Sequence, residues 1–135
     1  MSDRLAPNQG GGRVQPRHVI AATALRCGCA PAMLTGRTRR ARAVRARWVA
    51  MALMHGRLGM SSVAIGQALG GRDHSTVLHG LDRVAGLADA SLTLERAWSH
   101  AVVLALREAG AALCAAREVA REVALEAALR LEAAS

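Results

Sequence analysis

The sequence predicts an all-α fold: a helical bundle around a helix-turn-helix, followed by one long C-terminal helix. Three observations carry this. The apolar fraction is 52%, yet there is no Phe, no Tyr and only two Trp, so the core is built from Ala, Val, Leu and Met. Such a core suits closely packed helices better than sheets, which favour aromatic and β-branched side chains. Two short helical patterns, each preceded by a capping residue, flank Gly70–Gly71, and two short helices joined by a Gly-containing turn are the helix-turn-helix signature. No proline interrupts the Ala-rich stretch from Ser91 to Glu132. At 135 residues the chain makes one small domain with a modest core.

Residues 1–16 hold Pro7 and a Gly10–Gly12 run without periodicity, which predicts a disordered arm. His18–Cys27 reads as a short apolar helix, Ala32–Leu34 as a turn and Thr35–Ala41 as a basic loop. From Arg42 the pattern is helical, with Val44, Trp48, Met51, Ala52 and His55 on one side, and Gly56 and Gly59 end it. Ser61 is the N-cap of a short helix carrying Val63, Ile65 and Leu69. Asp73 caps the next, with Val77, Leu78, Leu81 and Val84 as its buried side. Residues 17–90 thus form the helix-turn-helix domain, and 91–135 a C-terminal helix broken only at Gly110. Val102, Leu106, Ala109, Leu113, Ala116, Ala120 and Val123 follow the 4-3 spacing of a coiled-coil seam. Arg117, Glu118, Arg121 and Glu122 flank it, where i,i+4 pairs form. This predicts a homodimer or a helical protein partner through residues 91–132, or the stripe folded back on the domain of the same chain.

Every cationic side chain but histidine is Arg, 18 against 10 acids, for a net charge of +8. Residues 1–60 carry eleven Arg and one acid, Asp3, whereas 61–135 carry seven Arg and nine acids. One end therefore faces a polyanion, with nucleic acid the leading candidate. Having no Lys, the chain has neither a P-loop nor Schiff-base chemistry. No nucleophile–base–orienter set is visible, so no enzyme and no cofactor is expected. Three cysteines (Cys27, Cys29, Cys114) without a secretory pattern argue against a disulfide framework. The Cys27–Cys29 CxC lacks a second pair, and His74 and His79 are five apart, so no metal site is expected. Wholly apolar runs such as Ala101–Leu106 are far short of the ~20 residues of a membrane span. The expectation is a cytoplasmic, nucleoid-associated protein with no membrane contact.

Two segments carry recognition chemistry. Arg37, Arg39, Arg40, Arg42, Arg45 and Arg47 put six Arg into eleven residues where a loop enters a helix. Such side chains neutralise phosphates and release counterions, and one or two on a loop can enter a narrow A/T-rich minor groove. Gly71-Arg72-Asp73-His74-Ser75-Thr76 opens the second helix of the motif, where base edges are read. Asp73 is a cap or an acceptor for a cytosine amino group, His74 a donor to a purine, and Ser75 and Thr76 reach bases or phosphate.

Three stretches are diagnostic: Ala46-Arg47-Trp48-Val49-Ala50-Met51-Ala52-Leu53, then Ile65-Gly66, then Gly70-Gly71-Arg72-Asp73-His74-Ser75-Thr76-Val77-Leu78-His79. This pattern resembles the C-terminal DNA-binding domain of the bacterial replication initiator DnaA, without gaps from Arg37 to Val84 and more weakly from Arg17 to Gly36. The resemblance implies a Trp-repressor-like helical bundle that binds double-stranded DNA at a short asymmetric A/T-rich box. By position it implies base reading by Arg39 in the minor groove and by Asp73, His74 and Ser75 in the major groove. Arg47, Thr76 and His79 match phosphate-contacting positions, and His55 stands where the family has a basic residue. Arg37, Arg40 and Arg45 join the phosphate contacts from the basic run. Ser75 replaces a usual Thr, Ser62 and Val63 replace Leu and Pro, and Trp48 replaces Gln, so either a weaker affinity or a shift in the preferred bases is expected. With no ATPase motif among these residues, the expectation is a regulator of transcription or of replication initiation. An adaptor working through its C-terminal helix, with residual or non-specific DNA binding, is the alternative.

Overall fold

The computed structural model describes residues 13–134, so most of the expected disordered arm lies outside the described residues. Six helices follow in order: α1 (Pro16–Arg26), α2 (Pro31–Thr35), α3 (Ala41–Gly56), α4 (Ser62–Ala68), α5 (His74–Val84) and α6 (Ala90–Ala134). Pro16 and Pro31 each open a helix, where a missing N–H costs nothing and the fixed φ is helical. The end of the predicted arm is already structured: Val14 is in the core, and the Gln15 N–H donates to His18 Nδ1 at 2.8 Å. Ala32–Leu34, read as a turn, is the middle of α2, and it drives Leu34 into the core.

α3 is the central helix, touching α1, α2, α4, α5 and α6. Ala43, Ala46, Val49, Ala50, Met51, Leu53 and Met54 are buried, whereas Val44, Trp48 and Ala52 are half-buried and His55 is exposed. The stripe expected from periodicity is thus only part of its core face, through buried Met51 and through Trp48 and Ala52, which pack against the core. A helix enclosed by five others buries a wide sector, and alanines let those neighbours approach closely. On α4, Ile65 and Leu69 are buried but Val63 is 56% exposed. On α5, Val77 and Val84 are buried while Leu78 is 52% exposed. Gly80 takes the place expected of Leu78, because a Cβ there would overlap Met51 Sδ and crowd Trp48.

α6 runs unbroken through Gly110. One glycine costs a helix only ~1 kcal/mol, which surrounding Ala, Leu, Arg and Glu easily absorb. Its docked face is Ala97, Ala101 and Ala105, packed chiefly on α1 with Leu94 and Trp98 alongside. The predicted seam docks only at its start, where Val102 packs against the core, whereas Leu106, Leu113 and Val123 are 55%, 54% and 59% exposed. Arg57 pins the start of α6, 3.2 Å from Glu95 and 5.4 Å above the Trp98 ring. Farther along, Arg17 makes a two-pronged bond to Glu108, and His18 Nε2 lies 2.9 Å from the same carboxylate. The distal half, residues 111–134, is exposed throughout, with an i,i+4 pair between Glu126 and Arg130. α6 also holds an 18-residue stretch of mean hydropathy 1.2, enough by length and composition to cross a membrane. Counting only uninterrupted apolar runs had missed it.

Arg17 first, and then His18, hold the Glu108 carboxyl down at about 2 from an ordinary 4.5. A depressed carboxylate stabilises the fold above its unfolded pKa and loses that contribution as pH falls through its folded one. Docking of α6 on α1 is therefore expected to loosen between about pH 4.5 and 2. Near-UV circular dichroism of the two Trp during acid titration checks this, and Glu108→Gln should flatten the change in that window. An identical titration for the variant would remove Glu108 from the account.

Candidate nucleic-acid interface

The helix-turn-helix is built by two caps and one tight turn. Ser61 Oγ accepts from the Ala64 N–H at 3.1 Å and starts α4. Gly70 and Gly71, at φ +89° and +83°, turn the chain, a conformation that a side chain would strain. Asp73 then starts α5, accepting from the Ser75 N–H at 3.2 Å and from the Ser75 hydroxyl. Those two bonds, the hydroxyl first, hold the Asp73 carboxyl below the usual carboxylate range. His74 Nδ1 lies 3.6 Å from its other oxygen. Capping of α5 by Asp73 is therefore realised, and Asp73, His74, Ser75 and Thr76 all stand exposed at the tip of the helix.

The basic loop, residues 36–40, joins α2 to α3 and leaves Arg37, Arg39 and Arg40 exposed. Arg42 and Arg45 are exposed on the first turns of α3, Arg42 reaching the Gly28 carbonyl at 3.4 Å. Arg47 is different. Only 6% exposed, it donates through Nε to the Leu34 carbonyl (2.9 Å) and through Nη2 to those of Met33 (2.7 Å), Gly36 (3.2 Å) and Thr38 (2.7 Å). Burial pulls its pKa down, but a guanidinium stays charged. Against the expected phosphate contact, the group is turned inward and ties down the loop that carries its neighbours. α2 ends on an extended Gly36 without a left-handed cap, so its last carbonyls lack helical partners, and Arg47 supplies them.

Arg72, which the sequence reading did not single out, does the same from the other side. It donates to the carbonyls of Leu34 (3.2 Å), Leu69 and Gly36. Burial lowers its pKa first, then repulsion from Arg47 and Arg37. Two guanidiniums thus converge on the Leu34 and Gly36 carbonyls. The turn also abuts α2 directly, since a Cβ on Gly70 would overlap the Thr35 carbonyl oxygen.

Between the loop and α5 lie two adjoining grooves. Arg39, Ala41, Val44 and Arg45 line one, His79, Asp82, Arg83 and Gly86 the other, and Trp48 and Leu87 wall both. Arg83 Nε donates to His79 Nε2 at 3.3 Å. Arg83 was also missed, although its place one turn after His79 on the same face was the available signal. The geometry therefore brings Arg37, Arg39, Arg40, Arg45, Asp73, His74, Ser75, Thr76 and His79 around α2, the grooves and the tip of α5. His55 lies apart, at the far end of α3 roughly 20 Å along its axis from Arg42, with Nδ1 3.4 Å from the Met60 carbonyl oxygen. Among the described residues no three metal-ligating side chains converge.

The family model for the bacterial DnaA protein helix-turn-helix matches residues 16–84, from the start of α1 to the end of α5. The chain belongs to the bacterial DnaA helix-turn-helix family. It is similar to the chromosomal replication initiator protein DnaA of Thermomicrobium roseum, 57% identical over 53 residues, or 39% of this chain and 11% of that protein. The DnaA of Oenococcus oeni is 41% identical over 63 residues, 47% of this chain and 14% of the relative. That of Thermus thermophilus is 37% identical over 90 residues, 67% of this chain and 20% of the relative. The match thus spans a fifth or less of these DnaA proteins. Within the family frame, α4 and α5 are the helix-turn-helix, and α1 to α3 hold it.

Proposed function

We propose that this DnaA-type helix-turn-helix binds double-stranded DNA specifically, at a site like a DnaA box, and regulates transcription or replication initiation by binding alone. Asp73, His74 and Ser75 read base edges in the major groove, and Arg39 enters the adjacent minor groove. Arg37, Arg40, Arg45, Thr76 and His79 contact phosphates flanking the two, with His55 beside the start of α4 as an outlying contact. One observation carries this reading: an exposed polar helix tip and an exposed arginine loop are held in one body by Arg47 and Arg72. A chromosomal ligand would keep such a protein on the nucleoid in the bacterial cytoplasm.

The test is fluorescence anisotropy with a DnaA-box duplex and a scrambled duplex across a salt series. A preference of about a hundredfold that persists at ~150 mM salt is expected for base readout. Equal binding that vanishes with salt would leave only a basic surface. Because Asp73 caps α5, Asp73→Ser is the cleaner variant: serine caps as well but lacks the carboxylate that would accept from a cytosine amino group. It is expected to lose ~1–3 kcal/mol on the box and little on the scrambled duplex. An unchanged ratio would confine Asp73 to capping.

A second reading rests on α6. Leu113, Val119, Val123, Leu125, Leu129 and Leu131 are all more than half exposed on its distal part, which favours self-association or a partner helix and with it an adaptor role. Sedimentation equilibrium of the full chain against a truncation after Gly110 tests the self-association branch; a monomer at all concentrations argues against it.

A further inference from the structure

Resting on the DNA-binding reading above, we propose that Arg72 is a positioning residue for minor-groove discrimination: from the recognition turn it fixes the loop that carries Arg39. The linkage is non-local. Arg72 reaches the carbonyls of Leu34 and Gly36 across 38 and 36 residues of sequence, whereas Arg47 reaches them from within the adjoining helix, across 13 and 11. Between these two guanidiniums, it is the Arg72 bonds that join the turn before α5 to the loop before α3. A second contact supports the same junction, where Gly70 of the turn lies against the Thr35 carbonyl. Arg39 is exposed on a loop of five residues, and a loop left free must be ordered at the moment of binding, which weakens and blurs recognition. With its carbonyls held from both sides, the loop keeps a fixed distance to the tip of α5. Minor-groove and major-groove reading then share one register.

Base analogues separate the two grooves. 2,6-Diaminopurine for adenine adds an amino group in the minor groove and leaves the major-groove edge of A·T unchanged. Inosine·cytosine for A·T does the reverse, keeping the minor-groove pattern and presenting that of G·C in the major groove. Wild-type protein is expected to lose tenfold or more for diaminopurine at the A/T-rich end of the box. A similar loss is expected for inosine·cytosine under α5. Arg72→Ala is expected to reduce the diaminopurine penalty to twofold or less, keep the inosine penalty, and leave the salt slope unchanged. Arg72→Lys, whose single ammonium serves one carbonyl at a time, should fall between the two. Far-UV circular dichroism confirms the fold of each variant, and if Arg72→Ala does not fold, Arg72→Lys carries the comparison.

An undiminished diaminopurine penalty in folded variants overturns the proposal. So does equal loss of both penalties with a salt slope lowered by about one, which would make Arg72 a phosphate contact itself. A wild-type protein insensitive to both analogues would instead overturn the DNA-reading assignment, and this inference with it.

Discussion

Arg47→Ala is expected to destabilise the protein by ~2–4 kcal/mol, because it removes a buried hydrogen-bonded charge and leaves the Met33 and Thr38 carbonyls without their guanidinium donor. The substitution strips the Leu34, Met33, Gly36 and Thr38 carbonyls of a donor at once, and it opens a void beside Leu34, which is fully buried. Lysine should not rescue it, since one ammonium cannot reproduce the planar fork that serves four acceptors. Urea denaturation followed by Trp fluorescence reads the effect as a lowered midpoint at unchanged slope. The DNA readout discriminates further. A phosphate ligand at this position would lower the salt slope by about one. The inward-facing guanidinium predicts the opposite, an unchanged slope with affinity lost only through the loosened loop. A stable Arg47→Ala protein with a shallower slope would restore the phosphate contact expected from the family pattern.

Gly66→Ala is expected to be at least as damaging, by about 3 kcal/mol, as overpacking against rigid neighbours costs. The added methyl would overlap the Arg72 carbonyl oxygen and crowd its carbon. Backbone, unlike a flexible side-chain tip, cannot swing aside. The same pair is bonded the other way, with the Arg72 N–H donating to the Gly66 carbonyl at 2.8 Å and that of Gly71 at 3.0 Å. Opening the α4–turn contact therefore breaks two turn bonds and rotates α5 relative to the bundle. Both a lowered Tm and a loss of box preference are expected. Gly56→Ala is the control, because a Cβ there meets nothing within 4 Å and alanine favours helix. Wild-type stability in Gly66→Ala would mean that the two helices of the motif cross less closely than described.

Much of the architecture was legible because its signals are local. Ser61 and Asp73 announced their helices through side-chain oxygens placed to bond N–H groups one turn ahead, and Gly70–Gly71 announced the turn through its backbone freedom. The string from Gly70 to His79 carried the family. What spacing left open had a common cause. Leu78 was assigned inward and is half exposed, and the Val102–Val123 stripe left a partner helix and its own domain as alternatives, because spacing gives a face without saying which partner covers it. α6 docks instead through Ala97, Ala101 and Ala105, since small side chains let it lie close on α1.

The sequence by itself determined the all-α class, the position of the helix-turn-helix, the caps, the charge asymmetry and the family. Periodicity, capping and composition act within a turn or two of each residue. Only the tertiary structure decided which member of the arginine run turns inward. Arg47 and Arg45 are chemically identical and two residues apart, and what separates them is a set of carbonyls 9 to 14 residues away that Arg47 can reach. Arg72 likewise has partners that exist only once α2 and the turn have met. Desolvating a guanidinium is favourable only where such acceptors converge, and convergence is a property of the fold.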